Sequence, residues 1–266
     1  MAESLARGFE SISPSAKSLL MMKAVAGLPY AREAADRLDP AALEAAMARR
    51  GDKAYLTRCA HFERRYREVE DLALGTGFSL FLELASGFSF RCLDWASRLA
   101  LRCWDTDLGG VIEAKRKLAE SLSSAELSRG LLDLRELNAL DAESFGAIAL
   151  EIEAAGGGAS LCVVTEGLLV YLDEEEKRSL CRNVREALVR SDGAWVTGDV
   201  YLRRAGASPL PQDERTRAFR ELHGLDAKMF ASFAEAEAFF SSCGLAVQAR
   251  SHGASTHRAT WRLVPA

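Results

Sequence analysis

Hydrophobic positions in the first quarter of the chain recur at helical spacing, and from residue 80 onward they gather into short apolar runs. Ser13 followed by Pro14 suits a helix start. Leu19, Leu20 and Met22 beside Lys17 and Lys23 then give an amphipathic helix that Gly27 and Pro29 end. Further helices are expected from Tyr30 toward Leu38, from Pro40 to before Gly51, and over 53–73. In the last of these, Phe62, Tyr66, Val69 and Leu72 form an apolar stripe. Periodicity does not say which of Arg58, Arg64, Arg65 and Arg67 turns inward.

The strand-like runs begin with LFLEL at 80–84, which carries Glu83 and leads through Ala85, Ser86 and Gly87 into a helix over about 89–100. LALRCW at 99–104 then runs to Asp105 and Asp107. Gly109 and Gly110 open a helix through VIEAKRKLAESL, and the next strand is expected to end near Leu132, presenting Asp133 and Leu134 at its edge. LCVV, stopped by Thr165 and Glu166, fits a fully buried parallel strand. A helix starts after Asp173, and GAWVTGDVYL gives another strand. Ser232, with Glu235 three residues on and Gly244 as a stop, brackets a late helix. LAVQARSH and THRATWRLV close the chain as a hairpin around Gly253 and Ala254.

Strand, small-residue turn, helix, strand and acid make a βαβ nucleotide-binding start. The acids Asp105 and Asp107 fall about 20 residues past the turn, within reach of ribose hydroxyls. Ala85 stands where a dinucleotide loop carries its first glycine, and Glu83 places negative charge where pyrophosphate would approach. Both features favour S-adenosylmethionine over NAD. A carboxylate after a parallel strand lies in the ligand crevice of such sheets, which singles out Glu166.

Length and composition narrow the classes. The 266 residues, 48% apolar and 27% charged, fit one α/β domain of ordinary globular character. A net charge of −4 gives no electrostatic case for nucleic acid. No apolar run approaches a membrane span, and the N-terminus has no secretory pattern, so a cytoplasmic location is expected. Six cysteines without a CxxC pair and four scattered histidines indicate neither a disulfide framework nor a metal site.

ELASGFSFR at 83–91, DTDLGGVIEAKRKL, LDLREL and VVTEGLLVYL at 163–172, in that order, resemble the S-adenosylmethionine-dependent methyltransferases that include leucine carboxyl methyltransferases and polyketide O-methyltransferases. The resemblance runs from ISPSAKSLLMMKA to the final strands. It implies a class I methyltransferase fold: a Rossmann-like, mostly parallel sheet with a C-terminal antiparallel hairpin and a helical N-terminal cover. The cover would span 1–74 and the core 75–266, with a small helical cap around 203–232. Glu83, Ala85 and Gly87 would bound the cofactor loop, and Asp105, with Asp107 beside it, would meet the ribose. Asp133 and Leu134 would flank adenine, and Glu166 would contact the methionyl ammonium or organise the crevice. Arg65, with Lys23 as a further contact, would pair with the cofactor carboxylate. Arg91 matches the arginine after the loop.

The implied activity is O-methylation of a small-molecule carboxylate or phenol. Two other readings are a methyltransferase-fold binding protein without turnover and an NAD-dependent oxidoreductase. No catalytic base or metal is assigned, no nucleic-acid or membrane partner is expected, and oligomeric state is open.

Overall fold

The computed structural model describes residues 13–123, 129–203, 218, 220–251 and 257–266. Four helices come first: α1 (Ser13–Val25), α2 (Ala31–Leu38), α3 (Pro40–Ala48) and α4 (Lys53–Leu74). The starts of α3 and α4 are set by Asp39 and Asp52, whose carboxylates accept from the backbone N–H of Ala42 and Tyr55. Alternating strands and helices follow: β1 (Leu80–Leu84), α5 (Arg91–Leu99), β2 (Arg102–Asp107), α6 (Gly109–Leu122), β3 (Leu132–Glu136), α7 (Ala142–Gly156), β4 (Leu161–Thr165), α8 (Glu174–Ser191) and β5 (Ala194–Tyr201). The chain ends with α9 (Phe233–Ser242), β6 (Leu245–Arg250) and β7 (Arg258–Pro265).

The sheet has seven strands in the order β3-β2-β1-β4-β5-β7-β6. Strands β1 to β5 are parallel, β7 is antiparallel to β5, and β6 is antiparallel to β7. The mostly parallel sheet with a C-terminal antiparallel hairpin is therefore present. The expected turn at Gly253 and Ala254 and half of the expected cap at 203–232, residues 204–217 and 219, lie outside the described residues.

Side-chain alternation divides the sheet into two faces. Phe81, Cys103, Leu132, Leu134, Cys162, Val164 and Val196 pack with residues of α1 to α6. Leu80, Leu82, Leu84, Trp104, Leu161, Val163 and Trp195 pack with residues of α7 to α9. Buried aromatic rings anchor both layers: Phe81 meets Trp95 edge-on at 4.8 Å, and Trp195 meets Phe240 at 5.7 Å. Such pairs contribute about 1 kcal/mol each beyond their burial.

One expectation about the chain's middle is corrected, and one helix there was not expected. Leu132 begins β3 rather than ending it, so the strand's C-terminal edge is Glu136 and not Asp133. The charged side chains of Asp133 and Arg135 do not stop the strand because they pair with each other and with Glu151 on α7. Helix α7, absent from the sequence reading, is capped by Asp141, which accepts from Glu143 N–H.

Strand order reverses around β1, with β2 on one side and β4 on the other. The crevice beyond the C-terminal ends of β1 and β4 is the place where open parallel sheets receive ligands.

Candidate functional site

The register that pairs Glu83 with Asp105, and Asp105 with Leu134, aligns these side chains on one face. Asp107 and Glu136 follow two residues on along their own strands, and Glu166 follows β4 with the same parity. The carboxylates of β1, β2 and β4 thus converge beneath the N-terminal helices. Asp133 pairs with Trp104 on the other face, is half-exposed at its side chain and binds Arg135. It does not join the cluster.

Glu166 is the hub, with its side chain only 2% exposed. Its Oε1 accepts from Arg65 Nε and Nη2 at 3.2 and 3.1 Å, and lies 3.5 Å from Lys23 Nζ. Its Oε2 accepts from Arg91 Nη2 at 2.5 Å, and Arg91 Nη1 donates to Glu83 at 2.6 Å. Burial alone would raise the Glu166 carboxyl, but Lys23, Arg65 and Arg91 hold it well below the usual carboxylate range. Burial lowers Lys23, Glu166 opposes this, and Arg91 and Arg65 add to it. Three cations thus face two carboxylates in the hydrogen-bonded cluster. The Tyr66 hydroxyl and Arg91 Nε, both buried here, have no hydrogen-bond partner.

The β1–α5 turn is shaped by two left-handed residues, Ala85 (φ 49°) and Gly87 (φ 54°). Ala85 holds a conformation that a Cβ disfavours. The turn is fixed by Asp107, which accepts from Gly87 N–H at 2.6 Å and Leu108 N–H at 2.7 Å. Burial raises the Asp107 carboxyl, with these two amides opposing. Asp105 lies deeper, 1% exposed, with Lys115 Nζ 2.6 Å from its carboxylate. Lys115 also donates to Ser86 Oγ at 2.8 Å. Burial, opposed by Lys115 and reinforced by Glu83, pushes Asp105 up to about 6. At the edge of β3, Leu137 N–H donates to the Asp107 carbonyl.

Three features went unread in the sequence. Asp199 on β5 accepts from the N–H groups of Gly167, Leu168 and Leu169, fixing the loop that carries Glu166. Gly198 lets α4 approach: a Cβ there would sit 2.9 Å from Val69 Cγ2 and 3.2 Å from Arg65 Cγ. His61 Nε2 is 3.1 Å from the Tyr201 hydroxyl, which accepts from Arg65 Nη1 at 3.2 Å. The readable signal was spacing, because His61 and Arg65 lie one helical turn apart.

Glu83, Cys92 and Asp105 bring three possible metal-ligand atoms within 4.8 Å of one another. Glu83 is already held by Arg91 and Asp105 by Lys115, so the charge a metal would balance is balanced within the chain. A depression of about 740 Å³ lies at the opposite end of the sheet, between Leu80, Leu161, Leu150 and Val189. Its charged lining residues are Glu153, Arg190 and Asp192, none of them part of the strand-end cluster. Among the described residues no helix is long and apolar enough to cross a membrane.

No protein-family model matches the chain, and no curated protein matches it in sequence. Solved structures do match in fold. The O-methyltransferase NcsB1 from neocarzinostatin biosynthesis, in complex with S-adenosylmethionine and 2-hydroxy-5-methyl naphthoic acid, aligns with a TM-score of 0.53 at 18% identity, over 87% of this chain and 60% of that one. The mitomycin 7-O-methyltransferase MmcR aligns at 0.51 and 15% identity, over 79% and 57%. TnmH aligns at 0.50 and 12% identity, over 87% and 63%. The chain therefore covers about three fifths of the length of these proteins, and what it shares with them is the class I methyltransferase fold.

Proposed function

We propose that this protein is an S-adenosylmethionine-dependent methyltransferase acting on an oxygen of a small-molecule carboxylate or phenol, with a sequence character like that of the leucine carboxyl and polyketide methyltransferases. The observation that carries this is the convergence of Lys23, Arg65 and Glu166 beside the glycine turn at the sheet's switch point. The cluster offers both signs of charge, as the zwitterionic end of an amino acid requires. Lys23 and Arg65 would take the carboxylate and Glu166 the ammonium, and the unpartnered Tyr66 hydroxyl leaves one more polar atom for such a group.

Asp107, at the end of β2 and tied to Gly87 N–H, is better placed for the ribose than Asp105, which Lys115 occupies. Glu136 and Leu137, rather than Asp133 and Leu134, stand at the edge of β3 on the adenine side. Bound S-adenosylmethionine supplies an electrophilic methyl group on a sulfonium sulfur. The chain's part is to align the reactants and exclude water. A carboxylate acceptor is already anionic. For a phenol, His61 Nε2 and the Tyr201 hydroxyl, joined at 3.1 Å beside Arg65, supply a proton-accepting pair.

The likeness in fold to O-methyltransferases, one of them bound to an aromatic hydroxy acid, supports the same reading. The test is calorimetric titration with S-adenosylmethionine and with NAD, followed by labelled-methyl transfer to aromatic hydroxy acids and simple carboxylic acids. Binding of the methyl donor alone and transfer to oxygen are expected. Binding of NAD alone would overturn the assignment, and donor binding without transfer to any acceptor would favour a binding protein.

A further inference from the structure

The chain holds two pairs of neighbouring cysteines in very different settings. Cys92 and Cys103, 0% and 1% exposed, lie inside the core, where Cys92 Sγ donates to Glu83 Oε2 at 3.5 Å and burial raises the Cys92 thiol well above its ordinary value. Cys181 and Cys243 form the second pair. Cys181, on α8, is fully buried, whereas Cys243, the residue that ends α9, is half-buried at the surface. Cys181 lies between Arg178 and Arg185 on the face of α8 that packs on residues 242–244, where Arg185 Nε donates to the Gly244 carbonyl at 3.1 Å, so the two thiols face each other. Arg178 Nη1, one turn before Cys181, lies 3.9 Å from Cys243 Sγ and donates to Ser242 Oγ at 3.1 Å.

We infer that Cys243 is a peroxide-reactive thiol and that Cys181 resolves it into a reversible intramolecular disulfide. The geometry supplies the three parts this chemistry needs: a partly exposed thiol, a cation beside it, and a second thiol on the helix face that packs against it. The Cys243 thiolate attacks one oxygen of hydrogen peroxide, giving a sulfenic acid and hydroxide. The Cys181 sulfur, losing its proton, then displaces that oxygen as water. Two thiols and one peroxide become one disulfide and two waters, with sulfur oxidised and peroxide reduced.

The charges around Cys243 favour its thiolate. The neighbouring Cys181 thiol lowers it most, burial opposes, and Ser242, Arg178 and Arg182 assist, which together bring it to about 6. Glu174 draws Arg178 from the far side at 2.7 Å, and Arg185 is engaged with the Gly244 carbonyl. The same contact raises Cys181, keeping it a thiol until the sulfenic acid forms. The bond would join the middle of α8 to the turn before β6, on the chain's other layer from the strand-end carboxylates.

The test is to treat the folded, fully reduced protein with hydrogen peroxide, block remaining thiols with an alkylating agent, and map peptides without reductant. A Cys181–Cys243 peptide two hydrogens lighter than its parts is expected, formed at least ~10-fold faster than oxidation at any other cysteine and reversed by dithiothreitol. In Cys181→Ser the Cys243 sulfenic acid should persist and be captured by dimedone. Because position 181 is buried, Arg178→Ala serves as an independent arm on the surface, and oxidation of Cys243 should slow by roughly 10-fold. Uniform oxidation of all six cysteines, no linked peptide in wild type, or an unchanged rate in Arg178→Ala would each overturn the inference.

Discussion

Glu83 and Glu166, at the ends of adjacent strands, are joined through one guanidinium: Arg91 Nη1 donates to the first at 2.6 Å and Nη2 to the second at 2.5 Å. Arg91 is 0% exposed and stacks its guanidinium 4.1 Å from the Tyr66 ring centre, so neither charge is screened by water. Each strand end is thereby fixed relative to the other across the crevice. Removing one partner of such an assembly leaves the rest uncompensated.

Glu166→Gln tests this directly. It strips the counter-charge from Lys23, Arg65 and Arg91 together and leaves Glu83 as the cluster's one hydrogen-bonded carboxylate. Unfolding in urea should show a loss of about 3–5 kcal/mol, the range for breaking a buried pair. A loss under ~1 kcal/mol would mean that the cluster relaxes into solvent.

Glu166 and Asp105 share a face of the sheet but must respond to pH in opposite senses. Glu166 is held below its unfolded value, so its contribution is complete above pH ~4.3 and is lost as the pH falls through the folded value. Asp105 is raised to about 6, so its contribution is complete below its unfolded value and is lost as the pH rises through 6. Between pH ~4 and ~6 the stability of wild type relative to Asp105→Asn should therefore fall, by at most roughly 3 kcal/mol. Below pH ~4, wild type should lose stability faster than Glu166→Gln. Denaturant midpoints measured across pH for the three proteins decide the matter, and parallel curves would refute both assignments.

The two acids of β2 separate in ligand binding as well. Asp107→Asn keeps one acceptor for the amides of Gly87 and Leu108, at a cost of about 1 kcal/mol in stability. Its calorimetric affinity for S-adenosylmethionine should nevertheless fall at least ~10-fold, the scale of one charge-assisted contact. Asp105→Asn, beneath Lys115, should change that affinity less than ~3-fold, well under the cost of a lost contact. The reverse ranking would assign the ribose to Asp105.

Much of this site was legible because its residues sit at ends of strongly patterned segments. LFLEL is apolar apart from Glu83 and LCVV is apolar throughout, so β1 and β4 fall where the pattern places them, and Glu83 and Glu166 come with them. The edge of β3 was not legible, because a strand with Asp133 and Arg135 on a half-exposed face looks like one that has already ended. Periodicity also left four arginines open on α4. In the structure Arg65 is buried while Arg64 and Arg67 are exposed, and the resemblance of sequence motifs, not the spacing, singled it out. The roles of Gly198 and Asp199 depend on contacts across the fold, with Arg65 and with the loop after β4, which local pattern does not encode.

Gly198→Ala tests the close approach that places Arg65. The added Cβ would meet Val69 Cγ2 at 2.9 Å and Arg65 Cγ at 3.2 Å, and neither neighbour yields freely. Val69 is fully buried with a branched, stiff side chain, and the stem of Arg65 is tethered at its far end to Glu166 and Tyr201. Helix α4 must therefore shift away from β5 or Arg65 must leave Glu166. Either adjustment is expected to cost about 1–3 kcal/mol in urea unfolding, the range for overpacking a core. The variant should also bind S-adenosylmethionine at least ~10-fold more weakly, because a displaced guanidinium fork no longer reaches a carboxylate with two donors. Unchanged stability together with unchanged donor binding would show that the helix and strand do not hold Arg65 at this distance in solution.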